Sequence, residues 1–279
     1  MVRPPARRRR LPAGAVLLGL VVGLAVGLFL LAPWRTNLLL LGIDRAPEGT
    51  DLARSDTIIL MTVVAPRPYV GMLSIPRDLW VTIPGYGENR INAAHALAEG
   101  ADPGTGPELA VETVAVNFGV DVDYYVRLRF DGLRRFVDAL GGVDLVLDQA
   151  TALYSAGEHH LTGEQALAFV RDRAGSDDFA RMDRGQLFLR ALMRQILRPS
   201  TWPRLVVAVP LLATSIDAEV PPWVWPRLGL ALLRAGPGGL DGRTISRDMV
   251  APFTTSDGAS VLAPDWSRIN PLLLEMFGQ

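Results

Sequence analysis

Charged residues stand at the ends of three apolar runs in the stretch 39–78, and their types suit one kind of chemistry. Asp44 closes LLLLGID, Arg54 and Asp56 open RSDTIILMTVV, and Arg77 with Asp78 close YVGMLSIPRD. Short apolar runs bounded by Gly, Pro, Asp and Arg read as buried strands, and open α/β sheets bind ligands at their strand ends. An arginine beside an aspartate is usually a surface ion pair of little weight. A solvated face, however, gives no reason to gather such pairs at strand ends. Two carboxylates such as Asp44 and Asp56 can hold one Mg²⁺, an ion that takes one or two protein carboxylates together with phosphate oxygens and water. Several arginines can then grip the remaining phosphate oxygens bidentately. The grouping implies a phosphorylated ligand.

Composition narrows the alternatives. The 279 residues are 49% hydrophobic and 20% charged, enough for one sizeable core or a domain with an appendage. A net charge of −1, with arginines alternating with acids, gives no basic stripe for nucleic acid. Cysteine is absent, which excludes disulfides, thiolate metal sites and cysteine nucleophiles. Lysine is absent too, so neither a P-loop lysine nor a Schiff base is available. No G-x-S-x-G or H-E-x-x-H occurs. Glu158, His159 and His160 are adjacent in a loop setting and do not converge easily on one metal ion.

The elements that must position the charged side chains follow in order. Residues 37–43, 57–64 and 69–75 are predicted strands, and their lack of strict alternation favours a sheet covered on both faces. Residues 79–83 form a further strand before the turn PGYGENR, and INAAHALAEG reads as a short helix. ELAVETVAVNFG is a helix stopped by Gly119. VDYYVRLRF, DGLRRFVDALGG and VDLVL then read as strand, helix and strand, a parallel crossover that places the chain in the α/β class. A capping box from Thr162 to Gln165 starts the helix LTGEQALAFVRDR. The next helix, RMDRGQLFLRALMRQIL, ends at Pro199, and Asp177, Arg181 and Arg184 share one face if it begins early. Helical stretches at 205–216 and 223–233, a strand near 243–250 and a helix from Pro264 complete the chain, with the Met and Trp residues of this tail read as core.

The amino-terminal region has a different character. Arginines crowd residues 1–10, and the uncharged run 11–34 is long enough to cross a bilayer, since about 20 residues span the roughly 30 Å hydrocarbon layer. Trp34 and Arg35 suit the far interface, and the arginines are expected to stay cytoplasmic. The expected organisation is a basic cytoplasmic tail (1–10), a single membrane anchor (11–34) and an extracytoplasmic domain (36–279).

Taken in order, NLLLLGID, RSDTIIL, SIPRD, RINAAH, FVDALGGVDLVL, LTGEQALAFVRDR and DDFARMDRGQ resemble the LytR-CpsA-Psr proteins, membrane-anchored glycopolymer transferases of bacterial cell envelopes. The resemblance covers roughly residues 37–197 and the anchor before them. It implies a three-layer α/β/α sandwich around a mixed central sheet, with an apolar channel for a polyprenyl chain. It also implies transfer of a glycopolymer from a polyprenyl-pyrophosphate carrier to peptidoglycan, assisted by Mg²⁺. Carried over by position, Asp44 and Asp56 are the metal-holding aspartates. Arg54, Arg77, Arg171 and Arg173 match the pyrophosphate-binding arginines, and Arg181, Arg184 and Gln186 match the R-x-x-R-Q-Q segment. Arg90 and Asn92 of RINAAH join the pyrophosphate set. Arg54, Arg77 and Asp78 are the candidates for catalysis, Asp78 being either a general base or the partner that orients Arg77. Two departures from the family pattern are Arg90, where a lysine is usual, and Gly185, where the first glutamine of R-Q-Q is expected. Water as acceptor would make the same site a pyrophosphatase, and a non-catalytic lipid- or glycan-binding regulator is the alternative of a different class.

Overall fold

A computed structural model of the chain describes residues 13–31, 35–43, 53–65, 67, 69–172 and 177–278. Asp44 and Arg173, two of the expected ligand-binding residues, lie outside the described residues.

A first helix, α1 (Ala13–Leu31), precedes three strands, β1 (Arg35–Ile43), β2 (Ser55–Val64) and β3 (Tyr69–Ser74), which pair antiparallel side by side. Their near-continuous apolar runs divide by the two-residue period of a strand between two faces. Leu39, Leu41, Ile58, Leu60 and Leu73 enter one core, and Leu38, Ile59, Val63, Val70 and Met72 enter the other. The hairpin β4 (Trp80–Ile83) and β5 (Gly87–Arg90) leads to helices α2 (Ala93–Ala101) and α3 (Gly106–Phe118). Gly119 ends α3 with φ +64°, a left-handed cap that glycine adopts without penalty. The chain then returns as β6 (Tyr124–Arg129), parallel to β1.

Helix α4 (Phe130–Leu140) is followed by β7 (Val143–Leu147) and β8 (Gly157–Leu161), and then by α5 (Gly163–Arg171), α6 (Asp178–Leu197) and α7 (Trp202–Ala213). The last part holds β9 (Ile216–Ala218), α8 (Trp225–Ala235), β10 (Leu240–Thr244), β11 (Val250–Thr254), β12 (Ser260–Pro264) and α9 (Trp266–Phe277). The central sheet has the order β10-β3-β2-β1-β6-β9 and is mixed. Helices α3 and α9 cover one face through Val114, Phe118, Ile269 and Leu272, and α8 covers the other through Leu228 and Ala231. The mixed sheet between helical layers is the arrangement the family resemblance implies.

Several elements differ from expectation. VDLVL does not join the central sheet as the end of a parallel crossover but pairs antiparallel with β8 in a separate hairpin. Its burial alternates, with Asp144 and Val146 exposed, so the strand has only one apolar face to bury and a two-faced central position is closed to it. The parallel pairs are instead β1 with β6 and β3 with β10. The strand expected near 243–250 is divided into β10 and β11, separated by a short 3-10 turn at Arg247–Met249. The helix expected at 205–216 starts at Trp202 and yields to β9 at its end, where Ile216 joins the sheet beside Leu128.

Helix α1 is uncharged over its 19 residues and exposes Leu17, Leu20, Leu24 and Leu28 around its surface. At 1.5 Å per residue it rises about 28 Å, just under the roughly 30 Å of a hydrocarbon layer. Among the described residues no helix is long and apolar enough to cross a membrane. The predicted span 11–34 extends beyond the described helix at both ends.

Candidate functional site

Three local features of the backbone assemble the site. The first is a β-bulge at the start of β2. Gly42 stands opposite Thr57 and Ile43 opposite Ser55, so Asp56 is the extra residue between them. A bulge of this kind redirects a side chain and takes a carbonyl out of the regular ladder. The Asp56 carbonyl accepts instead from Arg181 Nη2 at 3.1 Å.

The second feature is the turn after β3. Pro76 has no N–H to continue a ladder, and Leu79 N donates back to the Pro76 carbonyl at 3.1 Å. Arg77 and Asp78 occupy the centre of that turn and leave the sheet at its strand end.

The third is the start of α6, where consecutive aspartates take different tasks. Asp177 caps the helix by accepting from Ala180 N at 3.2 Å and pairs with Arg247. Burial pushes the Asp177 carboxyl up, but the Arg247 hydrogen bond and charge and the Ala180 N–H together leave it below the usual carboxylate range. Asp178, one residue on, points inward.

These features meet in a small recess of about 40 Å³ lined by Asp56, Arg77, Asp178 and Arg181 together with Ile58, Ile59, Ile75, Val170 and Met182. Arg77 Nη1 donates to Asp56 Oδ1 at 2.7 Å, and its Nε lies 3.2 Å from Asp178 Oδ1 and 3.6 Å from Asp78 Oδ2. Arg181 Nη2 lies 2.8 Å from Asp178 Oδ1. The side chains of Arg77 and Asp178 keep 21% and 18% of their surface exposed, enough for a ligand to reach them. Burial alone would lower the pKa of Arg77, but the charge of Asp178, the hydrogen bond that Arg77 donates to Asp56 and the charge of Asp78 more than reverse it. Its guanidinium is therefore a permanent cation. The lining combines two guanidinium groups and two carboxylates with apolar side chains.

The other predicted residues that the structure describes are not among those lining this recess. Asp78 bridges Arg77 and Arg90, with Arg90 Nε 3.2 Å from Asp78 Oδ1, so its carboxylate orients two arginines. Asn92 is buried and its N–H donates to the Arg77 carbonyl at 3.3 Å, steadying the turn from behind. Arg171, at the end of α5 beside the recess-lining Val170, places its guanidinium 5.1 Å from the Phe130 ring centroid. Arg184 turns to the Asp172 carbonyl. Arg54 is exposed immediately before β2.

Gln186 is not brought to the recess. Its Nε2 donates to Ser74 Oγ at 2.8 Å, to the Met72 carbonyl at 3.2 Å and to the Arg243 carbonyl at 3.3 Å, so it joins α6 to β3 and β10. The expected shared face of Asp177, Arg181 and Arg184 is replaced by Asp178 with Arg181, because Asp177 is spent on the cap. Asp178 was absent from the sequence-derived set. Its signal was the pair DD ahead of a helix, where one acid caps and the next, three residues before an arginine, faces it.

The LytR_cpsA_psr family model matches residues 34–221. The chain belongs to the LytR_cpsA_psr family. All the described recess residues lie within the matched span, whereas α8, β10 and α9 lie beyond it. A polyisoprenyl-teichoic acid–peptidoglycan teichoic acid transferase TagU of Oceanobacillus iheyensis is 35% identical over 191 residues, 66% of this chain and 58% of that protein. TagT of Bacillus subtilis, a transferase of the same name class, is 36% identical over 172 residues, 56% of this chain and 51% of its own length. The regulatory protein MsrR of Staphylococcus aureus is 28% identical over 195 residues, 67% of this chain and 57% of its own. The chain therefore spans between half and three-fifths of the length of these curated relatives. Among solved structures, B. subtilis TagV is similar with a TM-score of 0.70 at 25% identity, over 88% of this chain and 98% of that one. TagT bound to LI-WTA has a TM-score of 0.69 at 24% identity, over 88% of this chain and 91% of that one, and supports the LytR_cpsA_psr fold alone.

Proposed function

We propose that this chain is a phosphotransferase that moves a glycopolymer from a polyprenyl-pyrophosphate carrier to peptidoglycan at the outer face of the cell membrane. The observation that carries the reading is the convergence of Arg77 and Arg181 with Asp56 and Asp178 over an apolar wall. The teichoic acid transferase activities of TagU and TagT give it direction. In this reading a peptidoglycan hydroxyl attacks the sugar-linked phosphorus, a P–O bond forms to the acceptor, and the bond to the polyprenyl phosphate breaks. Arg77 and Arg181 stabilise the negative charge that builds on the transferring and leaving oxygens. Asp78 keeps Arg77 and Arg90 aimed at the mouth. The reading assigns Arg54, Arg90 and Arg171 to the outer parts of the same anion.

The donor set fits Mg²⁺. Asp56, one of the two carboxylates of that set, is partly exposed on the recess wall, and Asp44 lies outside the described residues. Asp56 and Asp44 would hold the cation, which when bound supplies positive charge at the pyrophosphate. The apolar segment 11–34 is assigned as a single anchor with the arginines before it on the cytoplasmic side. Its support is the ring of exposed leucines and valines on α1, which water does not favour.

The test is transfer of a labelled lipid-linked glycan to peptidoglycan by the full chain in Mg²⁺ buffer. Arg77→Ala is expected to lower the rate about 10²- to 10³-fold, and Asp44→Ala and Asp56→Ala to abolish the Mg²⁺ dependence. Unchanged Mg²⁺-dependent turnover in both aspartate variants would remove the metal assignment, and glycan release without any acceptor would make the chain a pyrophosphatase.

A further inference from the structure

Gly185 occupies the middle of the 20-residue α6, where glycine is a poor helix former. Some glycines elsewhere in the fold answer to close packing. A Cβ at Gly42 would come within 2.9 Å of the Thr57 side chain, and one at Gly163 within 2.1 Å of the Arg134 carbonyl. At Gly185 an added Cβ meets nothing within 4 Å, and the residue is not among the glycines with positive φ. Among the described residues, neither packing nor backbone conformation therefore calls for glycine here.

Its position supplies the missing reason. Asp178, Arg181, Met182 and Gly185 follow one another at i, i+3, i+4 and i+7, a single stripe of α6, and all four line the recess. The stripe runs from the charged mouth to a stretch of wall formed by Met182, Ile59 and Val170. Gly229 on α8 is also open around its Cβ position but does not line the recess, which makes it the natural comparison.

We propose that Gly185 is a specificity-determining residue that sets the width of the recess beside the pyrophosphate, so that the first isoprenoid unit of the ligand lies against the bare helix backbone. The inference rests on the reading of the recess as a polyprenyl-pyrophosphate site. An alanine at 185 would fill space that the ligand uses, while improving the helix. Stability and affinity are then expected to move in opposite directions.

The experiment measures binding of geranyl pyrophosphate and of inorganic pyrophosphate to the full chain in detergent and Mg²⁺ buffer, for wild type, G185A and G229A, with thermal melts alongside. Both variants should raise Tm by about 2 °C through helix propensity. G185A should weaken geranyl pyrophosphate about tenfold or more and leave inorganic pyrophosphate within twofold, and G229A should change neither. Unchanged geranyl pyrophosphate affinity in G185A, or an equal loss for both ligands, overturns the role of Gly185 while the pyrophosphate site stands. Failure of the wild type to bind either probe overturns the site itself and this inference with it.

Discussion

The charged residues of the site do not act as interchangeable cations and anions, and Gln186 shows how a motif position can serve the scaffold instead of the ligand. Its amide reaches three acceptors on β3 and β10, two of them backbone carbonyls. Gln186→Leu removes that donor while keeping most of the volume, which leaves buried acceptors without it. The expected cost is about 1–3 kcal/mol in a urea melt, with kcat/KM for glycan transfer within a few-fold of wild type. A hundredfold loss of turnover with unchanged stability would instead put Gln186 in contact with the ligand. At this scale the sequence was informative where a residue type announces a strand end, as with Asp56 and Arg77. It was silent where two identical neighbours divide the work, as Asp177 and Asp178 do, because only the helix start decides which carboxylate caps and which turns inward.

Between elements, the polar contacts that matter most are buried ones, and of the side chains that make them only His95 falls within a motif. Arg127 on β6 lies 3.3 Å from Glu99 Oε2 on α2 and 2.6 Å from Asp217 Oδ2 on β9, and its Nη1 is 3.3 Å from His95 Nε2. His95 is fully buried and its Nδ1 is 2.8 Å from the Ala53 carbonyl, one residue before Arg54. Glu99 also accepts from the N–H groups of Gly104 and Gly106, which fixes the connection from α2 to α3. One network thus joins the helix carrying the RINAAH residues, the central sheet and the loop that leads into β2. Arg127→Met would leave the Glu99 carboxylate buried beside a side chain without charge. Breaking a buried pair in this way costs about 3–5 kcal/mol, to be read from the midpoint of chemical unfolding. A loss below about 1 kcal/mol would mean that solvent reaches the network. The strands that hold the site were legible because their apolar runs are long, whereas this network joins residues up to 164 positions apart in chain order, from Ala53 to Asp217. The β7–β8 hairpin was misplaced for a related reason: a five-residue apolar run does not say how many of its faces the fold will cover.

Across the whole molecule, the sequence predicted a sheet buried on both sides because β1, β2 and β3 are apolar at successive positions, and the two cores on either face bear that out. It did not reveal how the edge is closed, since β10 comes from a part of the chain 166 residues after Ser74, counted to Leu240. That edge leads to a prediction about the entire chain. With neither lysine nor cysteine, the side chains that titrate between about pH 8 and 12 are the five tyrosines, because arginines keep their charge. Tyr69 on β3 donates to Asp241 on β10 at 3.1 Å, and burial, the Asp241 charge and that hydrogen bond push its phenol up to about 12. Tyr125 is raised as well, first by burial and then by Asp217 and Glu219. A group whose pKa is higher when folded than when unfolded contributes stability that is complete below its unfolded value, about 10 for tyrosine, and lost as pH rises through the folded value. Thermal melts should therefore stay level from pH 8 to about 9.5 and fall between pH 10 and 12. Tyr69→Phe should have a lower Tm than wild type at pH 8, since the bond to Asp241 is gone, yet a shallower fall above pH 10. Equal slopes in the two proteins would mean that the phenol of Tyr69 ionises as readily in the fold as in the unfolded chain, and that the β3–β10 edge opens to water before the sheet unfolds.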